Sequence, residues 1–196
     1  LHKTQKELVF SVPSGNFGNI CAGIMAQKLG LPIKHFVAST NINDTVPNYL
    51  VNGVYNPKPS KATISNAMDV GNPSNFERLQ TIYPSMPSKD LSLFSISVSD
   101  ELIKKEIKST YVSDHEIICP HTAAALYAYD LVGSDSTSVV AATAHPCKFD
   151  EVISPLIGCS VELNQAMKDL ESRPTNFNSI SCDISLVAKE LTNWYR

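Results

Sequence analysis

Between Leu8 and Ala38 the sequence runs strand, small-residue loop, helix, strand, and that succession restricts the chain to folds in which helices cross over a parallel sheet. Leu8-Val9-Phe10-Ser11-Val12 is a β-rich run closed by Pro13, which lacks the N–H a central strand needs. Ile20, Cys21, Ile24, Met25 and Leu29 then recur at helical spacing, and Gly30 follows where a helix C-terminus is expected. A second apolar run, Ile33 to Ala38, predicts the next strand.

The alternation returns downstream. Residues 91–98 read as a strand, and Ser99 as the cap of a helix that carries Asp100 and Glu101 in its first turn and Leu102, Ile103 and Ile107 on its apolar face. Residues 116–119 read as a short strand, Pro120 as the first residue of an Ala-rich helix that ends before Gly133, and residues 137–144 as a further strand. The fold class is α/β, three-layered, with a mostly parallel sheet and helices on both faces. Ligands of such folds bind where strand C-termini meet helix N-termini.

Residues 41–87 mix Asn, Pro, Ser and Gly with one helical segment at 75–83, and read as helix, long loop, helix. Leu163, Ala166, Met167 and Leu170, and again Ile184, Val187, Ala188 and Leu191, keep helical spacing and predict two closing helices. The expected organisation is one α/β domain over residues 1–158 and a helical extension over 159–196.

Charge narrows the function classes. Sixteen Lys and Arg against nineteen Asp and Glu leave a net charge of −3, and no basic run exceeds Lys104-Lys105, so neither nucleic acid nor an anionic membrane surface is an expected partner. No stretch has the length of a membrane span and residues 1–7 do not read as a signal peptide, so a cytoplasmic location is expected. Cys21, Cys119, Cys147, Cys159 and Cys182 show no paired spacing and are expected to be reduced and buried. The five histidines are scattered without metal-ligand spacing, so no metal is expected. Only 18% of residues are charged, below the ~25% usual for soluble domains, which suggests a face that meets something other than water.

Three segments carry chemistry. Pro13-Ser14-Gly15-Asn16-Phe17-Gly18-Asn19, between strand and helix, suits an anion: small residues let backbone N–H groups converge, and the helix dipole adds partial positive charge. It is neither a nucleotide P-loop nor a dinucleotide fingerprint, and on spacing alone a plain tight turn serves equally well. Ala142-Thr143-Ala144-His145-Pro146 places a hydroxyl and an imidazole at a strand end; a Thr there can partner a ring nitrogen or merely cap the next turn. In Asn72-Pro73-Ser74-Asn75-Phe76-Glu77-Arg78, Ser74 and Glu77 have capping-box spacing, and Arg78 suits capture of a carboxylate or phosphate. His121, beside Pro120, reads as structural.

At these points the chain resembles threonine synthase, a fold-type-II enzyme dependent on pyridoxal 5′-phosphate. The resemblance rests on PSGNFGN, NPSNFERL from Asn72, the Cys119-Pro120-His121-Thr122-Ala123 run and TAHPCKF from Thr143, four segments in the family's order. It implies conversion of O-phospho-L-homoserine and water into L-threonine and phosphate. It implies that Ser14, Gly15, Asn16, Phe17 and Gly18 cradle the cofactor phosphate, that Thr143 partners the pyridine nitrogen, and that Arg78 and His145 are substrate candidates. It further implies that the Schiff-base lysine lies upstream of Leu1. On that reading the chain is the C-terminal half of the enzyme, contains no catalytic residue of its own, is inactive alone, and has the N-terminal half as partner. Two other readings stay open: another fold-type-II lyase such as a serine or threonine dehydratase, and a non-catalytic anion-binding or interaction module.

Overall fold

A computed structural model describes residues 8–87, 92–133 and 136–194. Its centre is a four-stranded parallel sheet in the order β3-β2-β1-β4, formed by β1 (Leu8–Pro13), β2 (Ile33–Thr40), β3 (Leu93–Ser97) and β4 (Thr137–Val140). Strand alternation sends Phe10, Val12, Phe36, Ala38 and Leu93 to one face, where they join Ile20, Cys21 and Ile24 of α1 (Gly18–Lys28). Ser11 points to the other face and donates its hydroxyl to the Ala125 carbonyl of α5 (Pro120–Val132) at 2.6 Å. The run Ala123, Ala124, Ala125 and Ala128 is fully buried there, because small side chains let the α5 backbone approach the strands. With α1 on one face and α5 on the other, backed by α4 (Asp100–Asp114), the α/β three-layer architecture with a parallel sheet is in place.

Helix ends follow local chemistry. α1 stops at Gly30, whose φ of 101° suits glycine, and α5 stops at Gly133, with φ of 64°. Ser99 caps α4 by accepting the Leu102 N–H at 3.4 Å. The long segment holds α2 (Thr45–Asn52), a 3₁₀ turn at Asn66–Met68 and α3 (Phe76–Ile82). A polar network anchors it to the end of β2. Asn41 Nδ2 donates to Asp69 Oδ1 at 2.8 Å, and the same carboxylate takes the Thr63 hydroxyl at 2.8 Å and the Thr63 N–H at 3.1 Å.

Four expectations need correction. Residues 116–119 form no strand: His115, at φ 59°, ends α4, and Cys119 caps α5 by accepting the Thr122 N–H at 3.5 Å, so both ends of this connector are committed to helices. The strand expected over 137–144 ends at Val140, where its pairing with β1 stops: the last ladder bond runs from Ala141 N to Ser11 O at 2.8 Å, and the next β1 residue facing β4, Pro13, has no N–H to donate, while β1 stays paired to β2 as far as Pro13. The Ser74–Glu77 capping box does not form, for α3 is entered from Asn75 without a side-chain cap and the Ser74 hydroxyl is engaged elsewhere. Cys159 and Cys182 are exposed, while Cys21, Cys119 and Cys147 are buried and all five are free thiols. Leu91, expected to open a strand, and residues 1–7 lie outside the described residues.

A short helix the sequence did not announce, α6 (Asp150–Ile157), contains Pro155 and buries Ile153. The α/β unit extends to Glu162, and Leu163 opens a second compact unit. That unit consists of α7 (Gln165–Glu171) and α8 (Ile184–Trp194) with the connector between them, and Asn178 donates to Glu190 at 2.6 Å within it. None of its described side chains is buried, so its helices form on local periodicity without a core of their own. No described helix is long and apolar enough to cross a membrane.

Candidate cofactor site

Parallel pairing brings the C-terminal ends of β1, β2 and β4 to one edge of the sheet, and the loop after β1 folds there against three distant segments. Its first residue, Ser14, is fully buried; its N–H donates to Ser39 O of β2 at 2.8 Å and its hydroxyl faces Asn19 Oδ1 at 3.1 Å. Asn19 also reaches back to donate to the Pro13 carbonyl at 2.9 Å, which pulls the α1 N-terminus over the strand end. Phe17, the residue before α1, has left-handed backbone (φ 59°, ψ 13°) that is uncommon for a bulky side chain. Its ring is 1% exposed, so core packing holds the turn in this conformation.

The backbone of the loop is held from behind by the 3₁₀ turn. A Cβ on Gly15 would lie 2.6 Å from the Ala67 carbonyl oxygen and 2.8 Å from Met68 Cα, so only glycine fits. From the side it is held by the segment preceding α3. Asn16 Nδ2 donates to Ser74 Oγ at 2.9 Å, Asn16 Oδ1 accepts the Ser74 N–H at 2.5 Å, and Asn75 Nδ2 donates to the Asn16 carbonyl at 2.9 Å. The PSGNFGN and NPSNFER segments therefore form one unit. Among the described residues, the N–H groups of Gly15, Asn16, Phe17, Gly18 and Asn19 donate to no protein acceptor, and these are the donors an anion at the α1 N-terminus would use.

These donors open onto a cavity of about 310 Å³ lined by Pro13, Gly15, Asn16, Phe17, Gly18, Asn19, Ala67, Met68, His121 and Thr143. Thr143, three residues beyond β4, is exposed there and free of ladder bonding. Of the residues singled out from the sequence, Gly15, Asn16, Phe17, Gly18 and Thr143 share this cavity and Ser14 supports it from below. Arg78 and His145 do not line it. Arg78 is exposed on α3 and hydrogen-bonds the Asn75 side chain, while His145 Nδ1 lies 2.9 Å from the Cys147 sulfur. Arg78 also lies near Cys21, whose thiol is pushed up chiefly by burial and partly restored by the guanidinium charge.

His121, which reads as structural in the sequence, lines the cavity. It stands in the first turn of α5, is 3% exposed, and accepts the Ala67 N–H at Nε2 over 3.2 Å. Burial holds its imidazole below the ordinary histidine range, with the nearby Asp69 carboxylate opposing. Its signals in the sequence are its place just after Pro120 at a helix start and its membership of the Cys119–Ala123 run. Among the described residues no group of His, Cys, Asp and Glu side chains is arranged to hold a metal ion.

A family profile described as threonine synthase, C-terminal, matches residues 122–190. Threonine synthase of Escherichia coli is 36% identical over 97% of this chain and 45% of its own length, and that of Buchnera aphidicola (Baizongia pistaciae) is 39% identical over 96% and 44%. The crystal structure of a pyridoxal-phosphate-bound threonine synthase from Brucella melitensis superposes with a TM-score of 0.84 at 26% identity, covering 97% of this chain and 47% of that one. The chain thus spans just under half the length of the relatives it matches. Over that span it belongs to the threonine synthase family, whose C-terminal region it represents.

Proposed function

We propose that this chain supplies the phosphate cradle and the ring partner of a pyridoxal-phosphate-dependent threonine synthase, an enzyme that converts O-phospho-L-homoserine and water into L-threonine and phosphate. The observation that carries this reading is the single cavity lined by Thr143 and by Gly15 to Gly18, whose N–H groups meet no acceptor among the described residues. The donor set fits the cofactor. A phosphate ester meets unpaired backbone donors at a helix N-terminus, and the neutral Thr143 hydroxyl can donate to or accept from a ring nitrogen without forcing its protonation. Ser14 fixes the loop rather than touching the anion, since its own groups are spent on Ser39, Val12 and Asn19.

When bound, the cofactor supplies an electron sink for the elimination and hydration of the substrate. The residues of this chain bind and orient it: the loop neutralises the phosphate, and Thr143 sets the ring's far edge. Arg78 has guanidinium donors beyond the one given to Asn75, and with His145 it is proposed to meet the phosphate or carboxylate of the substrate. No lysine of this chain is assigned to the cofactor aldehyde, so the chain alone is expected to bind cofactor without turnover. The α/β part holds the cofactor, and the enzyme is expected to act in the cytoplasm.

Calorimetric titration of the 196-residue chain with pyridoxal 5′-phosphate and with inorganic phosphate tests this. Thr143→Val is expected to weaken pyridoxal phosphate about fivefold, the loss of one neutral hydrogen bond, while leaving inorganic phosphate unchanged. Equal loss for both ligands, or binding that survives blockage of the loop by Gly18→Asp, would overturn the assignment.

A further inference from the structure

The buried imidazole at the start of α5 has one nitrogen with a partner and one without. Nε2 accepts the Ala67 N–H at 3.2 Å, and an imidazole nitrogen that accepts carries no proton. The proton of the neutral ring therefore sits on Nδ1, which becomes a donor. Nδ1 is buried and finds no acceptor among the described residues, although the ring lines the 310 Å³ cavity. A buried donor without an acceptor is costly, and folded proteins rarely keep one unless a ligand or an ordered water completes it.

Its surroundings define the acceptor. His121 stands in the first turn of α5 and the Gly15–Asn19 donors stand at the first turn of α1, so two helix N-termini border one cavity. Their partial positive charges disfavour an imidazolium and favour an anion between them. The lowered proton affinity of His121 agrees with this. The Ala67 N–H is donated from the same 3₁₀ turn that backs Gly15, so the imidazole and the loop are held in register by one element.

We propose that His121 is a neutral, Nδ1-protonated imidazole that donates a hydrogen bond to the phosphate ester held at the α1 N-terminus. The inference rests on the reading that this cavity takes the cofactor phosphate, and it adds a side-chain donor to a cradle otherwise made of backbone. Because the donor is uncharged, it contributes direction and selectivity for a phosphorylated ligand without competing for the ligand's protons.

Two substitutions separate the two nitrogens. His121→Gln keeps an acceptor for the Ala67 N–H and removes the δ-position donor; His121→Asn keeps the δ-position donor and removes the acceptor. Binding of inorganic phosphate, pyridoxal 5′-phosphate and unphosphorylated pyridoxal is measured by calorimetry, with thermal melting as the control for folding. His121→Gln is expected to melt like the unmodified chain and to lose about tenfold or more in affinity for both phosphate ligands but not for pyridoxal. His121→Asn is expected to retain phosphate affinity better than His121→Gln. In ¹⁵N-resolved spectra the unmodified His121 is expected to show the Nδ1–H tautomer, with Nδ1 shifting when phosphate is added. A folded His121→Gln chain that binds phosphate as tightly as the unmodified chain, or an Nε2–H tautomer, overturns the proposal while leaving the cofactor reading intact. Failure of the unmodified chain to bind phosphate or pyridoxal phosphate overturns both.

Discussion

Asn16 and Ser74, 58 residues apart in sequence, are joined through both ends of one side-chain amide: Asn16 Nδ2 donates to the Ser74 hydroxyl at 2.9 Å, and Asn16 Oδ1 accepts the Ser74 N–H at 2.5 Å with the Ser74 hydroxyl 3.1 Å away. The pairing joins the anion loop to the entry of α3, so any ligand gripping the loop also loads the segment that carries Arg78. It also explains why Ser74 does not cap its own helix, for its hydroxyl is taken by the loop.

Asn16→Ala removes every hydrogen bond of that side chain to Ser74 but leaves the Asn16 backbone carbonyl to Asn75. Because the site is exposed, water replaces much of the loss, and the expected cost is about 1 kcal/mol, a fall in melting temperature of about 2–4 °C. Hydrogen exchange should speed up in both the 14–19 and the 72–76 amides. An effect confined to the first segment would show that the two are not mechanically joined.

Gly15→Ala is expected to be much worse than Gly18→Ala. The new methyl at Gly15 meets backbone atoms at 2.6 and 2.8 Å, which cannot move without displacing the 3₁₀ turn, whereas at Gly18 it meets only the Asn75 amide at 3.3 Å. Overpacking against backbone costs about 1–3 kcal/mol. Urea unfolding of the two variants should rank them in that order, and the Gly15 variant should also disturb the Ala67–His121 hydrogen bond.

The sequence announced what local periodicity controls and missed what distant contacts decide. The β1–α1–β2 succession was readable because each element carries its own pattern and its own stop at Pro13 or Gly30. The early end of β4 was not, since it depends on where pairing with β1 stops, and residues 116–119 are apolar enough for a strand but are tied into two helix ends. In the site, the loop and Thr143 stood out by their place at strand ends. His121 did not, because its partner Ala67 lies 54 residues away on a turn that has no sequence signature.

The cysteines should fall into two kinetic classes. Cys159 and Cys182 are exposed, whereas Cys21, Cys119 and Cys147 are buried, and burial raises the Cys21 thiol further from its reactive thiolate. Titration of the native chain with a disulfide reagent should give two fast equivalents, and unfolding should release three more. A third fast thiol would show that the sheet faces or the α5 start open more readily than this packing allows.

Acid should destabilise the α/β unit before the carboxylates titrate. Burial lowers the proton affinity of His121, and burial together with the Lys34 charge lowers that of His35. The unfolded chain therefore takes up protons near the ordinary histidine value of about 6.5 while the folded chain does not. Stability is flat above that value and falls as pH drops below it, by up to ~1.4 kcal/mol per pH unit for each such group. Glu106, whose carboxyl is raised by burial and by Asp130, acts with the opposite sign at lower pH, so the comparison belongs between about pH 5.5 and about pH 7.5. Over that range His121→Gln should flatten the dependence, and His35→Gln should flatten it further. An unchanged slope in the double variant would show that neither imidazole is kept neutral by the fold.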